Sequence, residues 1–458
     1  MKVPFRFPAR RGVAIAAAVC ASAVLTHAHA NELYFQMNPN YNGLGQRQAF
    51  LFGAANTTGT LTSTDGSVNQ TFDLGSTGFS VLTVPNNYEL ANATIQNNGF
   101  KIQSAGNVGG YFLSRQPFTT DMTYLIDGAK LGSQYVVAAY NQIESSYPSQ
   151  VSAQATQDGT TVTFTPPGGG AATTVTLNAG QTYMFQSADT TGIGVVGNKP
   201  IAVFSGVKCA NVPVGSVACD HLVEQMPSID QLSKTYYVAP TPRTGPNGDV
   251  VRIVASANAT EVKVDGVVLA TLNAGEFREI RIPTGKTITA DKPVLVAQYL
   301  VGQSQGGGNT DPAMTIVPGA DQWLKNYVFA TPSGTAAFPT DFISLLMQTS
   351  DIASLLVDGV AVADPFTALG ASGFSYANID VSATSGPFTI QAANPFQLLL
   401  SGYDNFDSYF TYGGAAFAPG ASPDPQQPPG NGVPEPGTVA LLGIALAGLV
   451  GMRRRKSA

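Results

Sequence analysis

Apolar and polar residues follow one another along most of the chain in short runs. Between residues 250 and 330, runs rich in Val, Ile, Thr and Tyr are separated by Gly, Pro, Asn and Asp. These runs are 250–255, 260–264, 277–282, 287–290, 293–300, 314–317 and 327–330. Short runs of this composition, bounded by turn-forming residues, predict β-strands. The pattern therefore predicts an all-β protein, with short hydrophobic helices at the two termini alone.

The strand signals recur with a period of about 93 residues. Residues 176–180 and 271–275 both read Thr-Leu-Asn-Ala-Gly, and Val-Asp-Gly occurs at 264–266 and again at 357–359. In the Val-Asp-Gly copies, Asp-Gly supplies the backbone freedom that a tight hairpin needs. A third recurring signal is a Tyr placed three or four residues after a Leu, at Tyr135, Tyr236 and Tyr327.

The recurrence predicts tandem β-units rather than one large domain. After a lead-in at 31–46, the predicted units are 47–145, 146–240 with the cysteine loop, 241–332 and 333–418. Six or seven strands in about 93 residues favour β-sandwich-like units. The alternative is a β-propeller in which each repeat supplies two blades.

The first 30 residues have the layout of a secretory signal peptide. Basic residues come first, then an apolar run from 12 to 25, and then Ala28 and Ala30 in an A-x-A pattern. We expect signal peptidase to cleave after Ala30, which places the remaining chain outside the cytoplasm.

The last residues resemble a bacterial PEP-CTERM sorting signal. A Pro/Gly/Gln linker at 419–432 leads into a segment at 433–458, in which an apolar stretch separates a Val-Pro-Glu-Pro motif from a basic cluster. The motif and cluster residues are Val433, Pro434, Glu435, Pro436, Arg453, Arg454 and Arg455. The resemblance implies a Gram-negative bacterium, transient inner-membrane anchoring through the C-terminal helix, processing by an exosortase, and delivery to the cell surface or extracellular matrix. A plain tail anchor is the alternative.

Charge limits the partners of the exported region. The two end segments hold eight of the 23 Lys and Arg residues and one of the 29 Asp and Glu residues, which leaves 15 basic and 28 acidic residues, a net charge of −13. A surface of this sign repels phosphate backbones, so nucleic acid is excluded as a partner.

The exported chain offers few residues for catalysis. Its one histidine is His221, so neither a multi-histidine metal centre nor a serine-type triad with a spare histidine is predicted. Paired carboxylates would suit a glycosidase, but nothing in the sequence marks Glu144, Glu224 or Glu276 as a pair. We therefore predict a protein that is not an enzyme, with no cofactor and no metal.

Two groups of residues remain for structure or binding. Cys209 and Cys219 are the two cysteines of the exported chain, and a bridge between them would stabilise the fold by about 2–3 kcal/mol. Near the end of the last unit, Tyr403, Phe406 and Tyr409 crowd one segment together with Asp404. Core packing and an exposed aromatic platform for sugar or protein both account for this cluster.

The segments 199–209 and 218–227 resemble the signature of the IgGFc-binding protein N-terminal domain family. The second contains Cys-Asp-His-Leu-Val-Glu-Gln, and the segment that begins at Tyr403 is similar to the closing segment of the family. Val207 stands where the family pattern has a His. The resemblance covers about residues 100 to 415 and implies an extracellular, all-β, non-enzymatic binding module. It also implies that Asp220, His221 and Glu224 are ordered neighbours of the bridge, in a binding loop.

The leading functional hypothesis is an exported surface or matrix protein that serves adhesion, with an extracellular polysaccharide or a surface protein as partner. Two alternatives stay open: an extracellular carbohydrate-active enzyme, and a purely structural coat component that assembles with itself.

Overall fold

The computed structural model describes residues 31–42, 45–383 and 386–417. The predicted signal peptide, linker and sorting signal, and with them both predicted terminal helices, lie outside the described residues.

The described residues form 32 strands and seven short 3-10 helices. The first sixteen strands are β1 (Glu32–Phe35), β2 (Gln46–Gly53), β3 (Thr58–Ser63), β4 (Asn69–Asp73), β5 (Phe79–Thr83), β6 (Phe100–Ser104), β7 (Val108–Gln116), β8 (Thr119–Tyr124), β9 (Gln134–Val136), β10 (Ser149–Ala155), β11 (Thr160–Thr165), β12 (Thr173–Leu177), β13 (Thr182–Ser187), β14 (Gly194–Gly197), β15 (Ile201–Ala210) and β16 (Asp220–Gln225). The other sixteen are β17 (Thr235–Val238), β18 (Asp249–Ala255), β19 (Thr260–Val264), β20 (Val267–Leu272), β21 (Phe277–Ile282), β22 (Lys286–Ala290), β23 (Val294–Tyr299), β24 (Met314–Ile316), β25 (Leu324–Phe329), β26 (Thr340–Gln348), β27 (Leu356–Val357), β28 (Val360–Ala361), β29 (Thr367–Ala368), β30 (Phe374–Asp380), β31 (Phe388–Asp404) and β32 (Asp407–Tyr412). The 3-10 helices are Asn86–Tyr88, Gly128–Lys130, Pro167–Gly169, Ile229–Gln231, Ala320–Gln322, Gly334–Ala336 and Thr349–Ser354.

The strands pair into antiparallel sheets with a regular order, and the all-β prediction is confirmed. Strands β1 to β8 form the sheets β1-β6-β3-β4 and β5-β2-β7-β8. Strands β9 to β16 form β9-β14-β11-β12 and β13-β10-β15-β16, and strands β17 to β24 form β17-β22-β19-β20 and β21-β18-β23-β24. The position of each strand within its group of eight is the same in all three groups.

Strands β25 to β32 form one eight-stranded sheet because β31 is 17 residues long. Its first part pairs with β25 and β27, and its second part pairs with β26 and β32. The long strand therefore joins what are two separate sheets in each of the first three groups.

The core of the third group lies between its two sheets. Buried side chains from all strands of this group except β24 form one apolar cluster: Tyr236, Val238, Val251, Ile253, Ala255, Val262, Leu272, Ile282, Ile288, Val294, Val296 and Val317. Alternate residues of each strand point into this layer, which is the burial that a period of two in the sequence predicts.

A buried tyrosine on the first strand of a group ties the two sheets together. Its hydroxyl accepts a hydrogen bond from the backbone N–H three residues earlier and donates to a backbone carbonyl on the seventh strand position. The three copies are Tyr135 with Gly132 (3.0 Å) and Ile201 (2.6 Å), Tyr236 with Ser233 (2.9 Å) and Val294 (2.6 Å), and Tyr327 with Leu324 (3.0 Å) and Phe396 (2.5 Å).

The groups of strands start earlier than the predicted units. The segment 31–46 is more than a lead-in, since β1 begins at Glu32 and pairs with β6. Likewise β9, β17 and β25 pair with strands that follow them in the chain. The predicted boundaries at 145, 240 and 332 fall after these strands, so the recurring Tyr stands near the end of each predicted unit but on the first strand of each group.

We expect Tyr236→Phe to lower the free energy of unfolding by about 1–3 kcal/mol, because it leaves a buried N–H and a buried carbonyl without their partner. Chemical denaturation measures the loss. Tyr237→Phe is the matched control, because Tyr237 is the next residue on β17 and is only half-buried. Equal effects of the two variants would contradict the structural role given to Tyr236.

Candidate functional site

The last strands of the four groups meet at the centre of the molecule. Strands β8, β16, β24 and β32 are edge strands of their sheets, and they contact one another in a closed ring. All their residues are buried. An edge strand has backbone N–H groups without a partner in its own sheet, so a buried ring of edges needs other acceptors.

Asp121 on β8 supplies the principal acceptor. Its carboxyl group accepts backbone N–H groups from all four strands of the ring: Met122 (2.9 Å), Val223 (3.0 Å), Met314 (3.1 Å) and Phe410 (3.1 Å). Asp121 is 0% exposed. Burial raises the pKa of this carboxyl well above its usual value, and the four N–H groups act in the opposite direction.

A second layer of polar side chains lies three residues before each of these N–H donors in the chain. It consists of Thr119, Asp220, Asp311 and Asp407. Asp220 is satisfied by neighbouring N–H groups, because its carboxyl accepts those of Thr120 (2.7 Å), His221 (2.6 Å) and Ser408 (3.4 Å). We call Asp220, Asp311 and Asp407 the acid ring.

The other two members of the acid ring have unsatisfied oxygens. Both carboxyl oxygens of Asp311 and Oδ1 of Asp407 are buried without a hydrogen-bond partner. Arg115 is the nearest cation to Asp407, with 3.8 Å between its guanidinium and the carboxyl. Burial and the neighbouring Asp407 raise the pKa of Asp311 to about 8. Burial raises the pKa of Asp407 to about 7, against the opposing effect of Arg115.

The loops that enter the ring of strands form one pocket above the acid ring. Each loop joins the seventh and eighth strand of a group: 117–118, 211–219, 300–313 and 405–406. The pocket has a volume of about 720 Å³. Its lining residues are Tyr41, Asn42, Pro117, Phe118, Thr119, Cys209, Ala218, Cys219, Asp311, Asn405 and Phe406. We call this side of the molecule the loop face.

Two phenylalanines on the loop face adopt an unfavourable backbone conformation. Phe118 has φ of 64° and Phe406 has φ of 54°, and each is the second residue of a two-residue hairpin turn. Glycine or asparagine is usual there, because a bulky residue in the left-handed region costs about 1–2 kcal/mol. Their side chains are 62% and 40% exposed. Strain combined with an exposed ring is typical of a functional position.

The predicted disulfide is present at the edge of this pocket. Cys209 and Cys219 are bonded, with 5.4 Å between their Cα atoms, and they close the loop 211–219. That loop also contacts the loop of the third group, since Gly302 N–H donates to Val212 O at 2.8 Å and Ser304 N–H to Val217 O at 3.1 Å. The bridge therefore holds one wall of the pocket in place.

Most of the other predicted site residues are buried, and two of them reach the surface. Five of them are at most 1% exposed: Asp220, His221 and Glu224 on β16, Tyr403 on β31, and Tyr409 on β32. His221 Nδ1 lies 2.9 Å from Val207 O, and burial lowers the pKa of His221 to about 3. Phe406 reaches the surface and lines the pocket. Asp404 is partly exposed and lies 3.7 Å from Arg115.

The glycosidase candidates are on separate parts of the structure. Glu224 is 0% exposed on β16, and burial raises its pKa well above the usual value. Glu144 and Glu276 are exposed, one in the segment before β10 and the other between β20 and β21.

Phe118, Asp121, Asp311 and Asp407 are not among the site residues predicted from the sequence. The repeat contained a usable signal, because Asp220, Asp311 and Asp407 are spaced by 91 and 96 residues, close to the period of about 93. Phe118 and Phe406 have no such signal, since the conformation of a turn residue is not visible in its identity.

Two further properties concern the described residues. Among them, no group of three or more His, Cys, Asp and Glu side chains has an arrangement that would hold a metal ion. Within the same residues, no helix has the length and apolar character needed to cross a membrane.

Fold and pocket together define the class: an all-β protein of small antiparallel sheets with a loop-bordered pocket. Residues 121–402 match the family model described as IgGFc binding protein, and the chain belongs to this family. Residues 432–456 match the PEP-CTERM protein-sorting motif, which implies export, processing by an exosortase and surface localisation. Both resemblances seen in the sequence are confirmed.

One curated relative is the human IgGFc-binding protein, which is 25% identical over 340 residues. The match covers 70% of this chain and 6% of the human protein, so the chain spans a small part of that relative. Among solved structures, a marsupial T cell receptor is 8% identical with a TM-score of 0.10, over 84% of this chain and 99% of that one. A similarity at this level carries no argument about the fold.

We expect Asp121→Asn to lower the free energy of unfolding by about 2–5 kcal/mol, because an amide cannot accept four N–H groups and leaves buried donors unpaired. Chemical denaturation of the variant and of the exposed control Asp364→Asn measures the difference. A loss no larger than that of the control would show that the ring of strands does not depend on this carboxyl.

The free energy of unfolding should fall as pH rises from about 5 to 7. In this range folded Asp311, with a pKa of about 8, keeps a proton that the unfolded carboxyl, with a pKa of about 3.9, has released. His221, with its lowered pKa, acts in the opposite direction below about pH 6.5.

The test compares Asp311→Asn with the original protein at each pH. We expect the fall to be smaller in the variant by about 1.4 kcal/mol per pH unit, the value for one proton. Parallel pH profiles for the two proteins would contradict a protonated Asp311.

Proposed function

We propose that this chain is an exported, non-enzymatic adhesion protein whose loop face binds an extracellular polysaccharide. The observation that carries the proposal is the pair of strained, exposed phenylalanines, Phe118 and Phe406, at the pocket. Aromatic rings offer flat apolar area to the faces of sugar rings, while hydroxyl groups need polar partners such as Asn405 and Asp311 beside them.

The family and the sorting motif support an extracellular location and a binding role. The PEP-CTERM motif implies surface localisation, where an extracellular polysaccharide would be within reach, and the family is one of binding proteins. The name of the human relative refers to IgGFc binding, and because this chain matches 6% of that protein we transfer the binding role without the ligand. Association with a biofilm matrix is part of the proposal.

Three observations support a role without catalysis. The candidate carboxylates Glu144 and Glu276 are exposed on separate segments, and Glu224 is buried in the ring of strands. The exported histidine, His221, is wholly buried against Val207. None of these four residues lines the loop-face pocket.

We also infer that the chain consists of four related β-sandwich units rather than propeller blades. The common strand order, the recurring tyrosine contact and the core between the two sheets of the third group support this inference. A propeller blade is a meander in which neighbours in sequence are neighbours in the sheet, whereas here β1 lies beside β6 and β5 beside β2.

Replacement of Phe118 separates binding from folding. We expect Phe118→Gly to weaken binding to immobilised polysaccharides about five- to thirtyfold, the effect of losing about 1–2 kcal/mol of contact energy. The same variant should be at least as stable as the original protein, because glycine adopts positive φ without strain.

A glycan array followed by titration of the best ligand measures the affinity, and thermal unfolding measures the stability. Val267→Ala, on the exposed part of β20 and away from the pocket, is the control and should bind normally. Absence of saturable glycan binding by the original protein would refute the proposal. Normal glycan binding by Phe118→Gly would show that the binding site lies elsewhere on the protein.

A further inference from the structure

Asp311 lacks the partners that a buried carboxyl normally has. It lines the loop-face pocket, its side chain is 0% exposed, and neither of its oxygens accepts a hydrogen bond. Most buried polar atoms in folded proteins are paired, so an unpaired acceptor at the wall of a pocket indicates a ligand that donates hydrogen bonds.

The acidic groups around Asp311 favour a cationic donor. Asp220 and Asp407 face it from the neighbouring strands of the ring, and both interact electrostatically with it. Arg115 is paired with Asp407, and no ion pair of the described residues includes Asp220 or Asp311. Burial keeps a proton on Asp311 near neutral pH in the free protein. A bound ammonium group would displace this proton and pair with the resulting carboxylate, whereas a hydroxyl group would offer no charge to pair with it.

The aromatic residues at the rim of the pocket favour a sugar that bears an ammonium group. Phe118, Phe406 and Tyr41 are exposed aromatic residues around the acidic wall. Aromatic faces contact the apolar faces of sugar rings and also attract a cation above them. A bare metal ion would make no use of the aromatic faces. An anionic polysaccharide would be repelled by residues 31–432, whose net charge is −13.

We propose that the loop-face pocket recognises an amino sugar, with the free ammonium group held by Asp311 and the sugar ring held by Phe118 and Phe406. The natural ligand is then a polysaccharide that contains glucosamine-type residues with free amines. This inference rests on the proposed function, since it names the class of glycan bound at the same site.

The test is titration calorimetry with three tetrasaccharides of equal length: glucosamine, N-acetylglucosamine and glucose. The buffer contains about 0.15 M salt, so that long-range attraction to the acidic surface is screened. We expect the glucosamine tetrasaccharide to bind at least tenfold more tightly than the other two. In Asp311→Asn this preference should fall to less than about twofold, whereas the exposed control Asp364→Asn should keep it.

The remaining outcomes distinguish the two proposals. Equal binding of all three sugars that is lost in Phe118→Gly would overturn the amino-sugar inference and leave the proposed function intact. A preference for glucosamine that persists in folded Asp311→Asn would place the ammonium group elsewhere and also overturn the inference. Calcium binding that competes with the sugars and disappears in Asp311→Asn would assign the acid ring to a metal instead. Absence of any sugar binding would refute both proposals.

Discussion

The hydrogen bonds that Asp121 accepts are the interaction on which the rest of the structure depends. Four sheet edges meet at the centre of this protein, and buried edges are costly unless their N–H groups find acceptors. One carboxyl accepts an N–H from each of the four strands, and three of these donors lie 102, 193 and 289 residues away in the chain. These hydrogen bonds thereby hold the four groups of strands together as one packed structure rather than as independent domains.

The same closure accounts for the unusual chemistry of the neighbouring layer. Because β8, β16, β24 and β32 exclude water from the centre, burial raises the pKa of Asp220, Asp311 and Asp407, and Asp407 raises the pKa of the other two further. The loops that connect these strands are forced together at one end, where they border the pocket. The packing of the four edge strands into a ring thus places acidic side chains beneath the loops that converge on the pocket.

Local sequence patterns predicted the strands and the disulfide, but they did not predict the central ring, where strands distant in the chain meet. The strands follow from short runs of strand-forming residues between turn residues, and the disulfide follows from the pair of cysteines in an exported chain. Asp121 stands in the run Thr-Thr-Asp-Met-Thr-Tyr, which is typical of an ordinary half-exposed strand, and no spacing indicates that four strands converge on it. The family resemblance implies that Asp220, His221 and Glu224 belong to a binding loop, yet all three are buried on β16.

The family match covers most of the central ring of strands but stops short of the aromatic residues at the pocket. The matched range, 121–402, begins at Asp121 and includes β16 with its Asp-His-Leu-Val-Glu-Gln run, so it covers much of the central ring. Phe118 and Phe406 lie just outside that range, at the tips of hairpin turns. Turn tips tolerate substitution far better than buried strands do. The matched range therefore covers Asp121 and much of the ring of strands, whereas the two phenylalanines on which the proposed binding depends lie outside it.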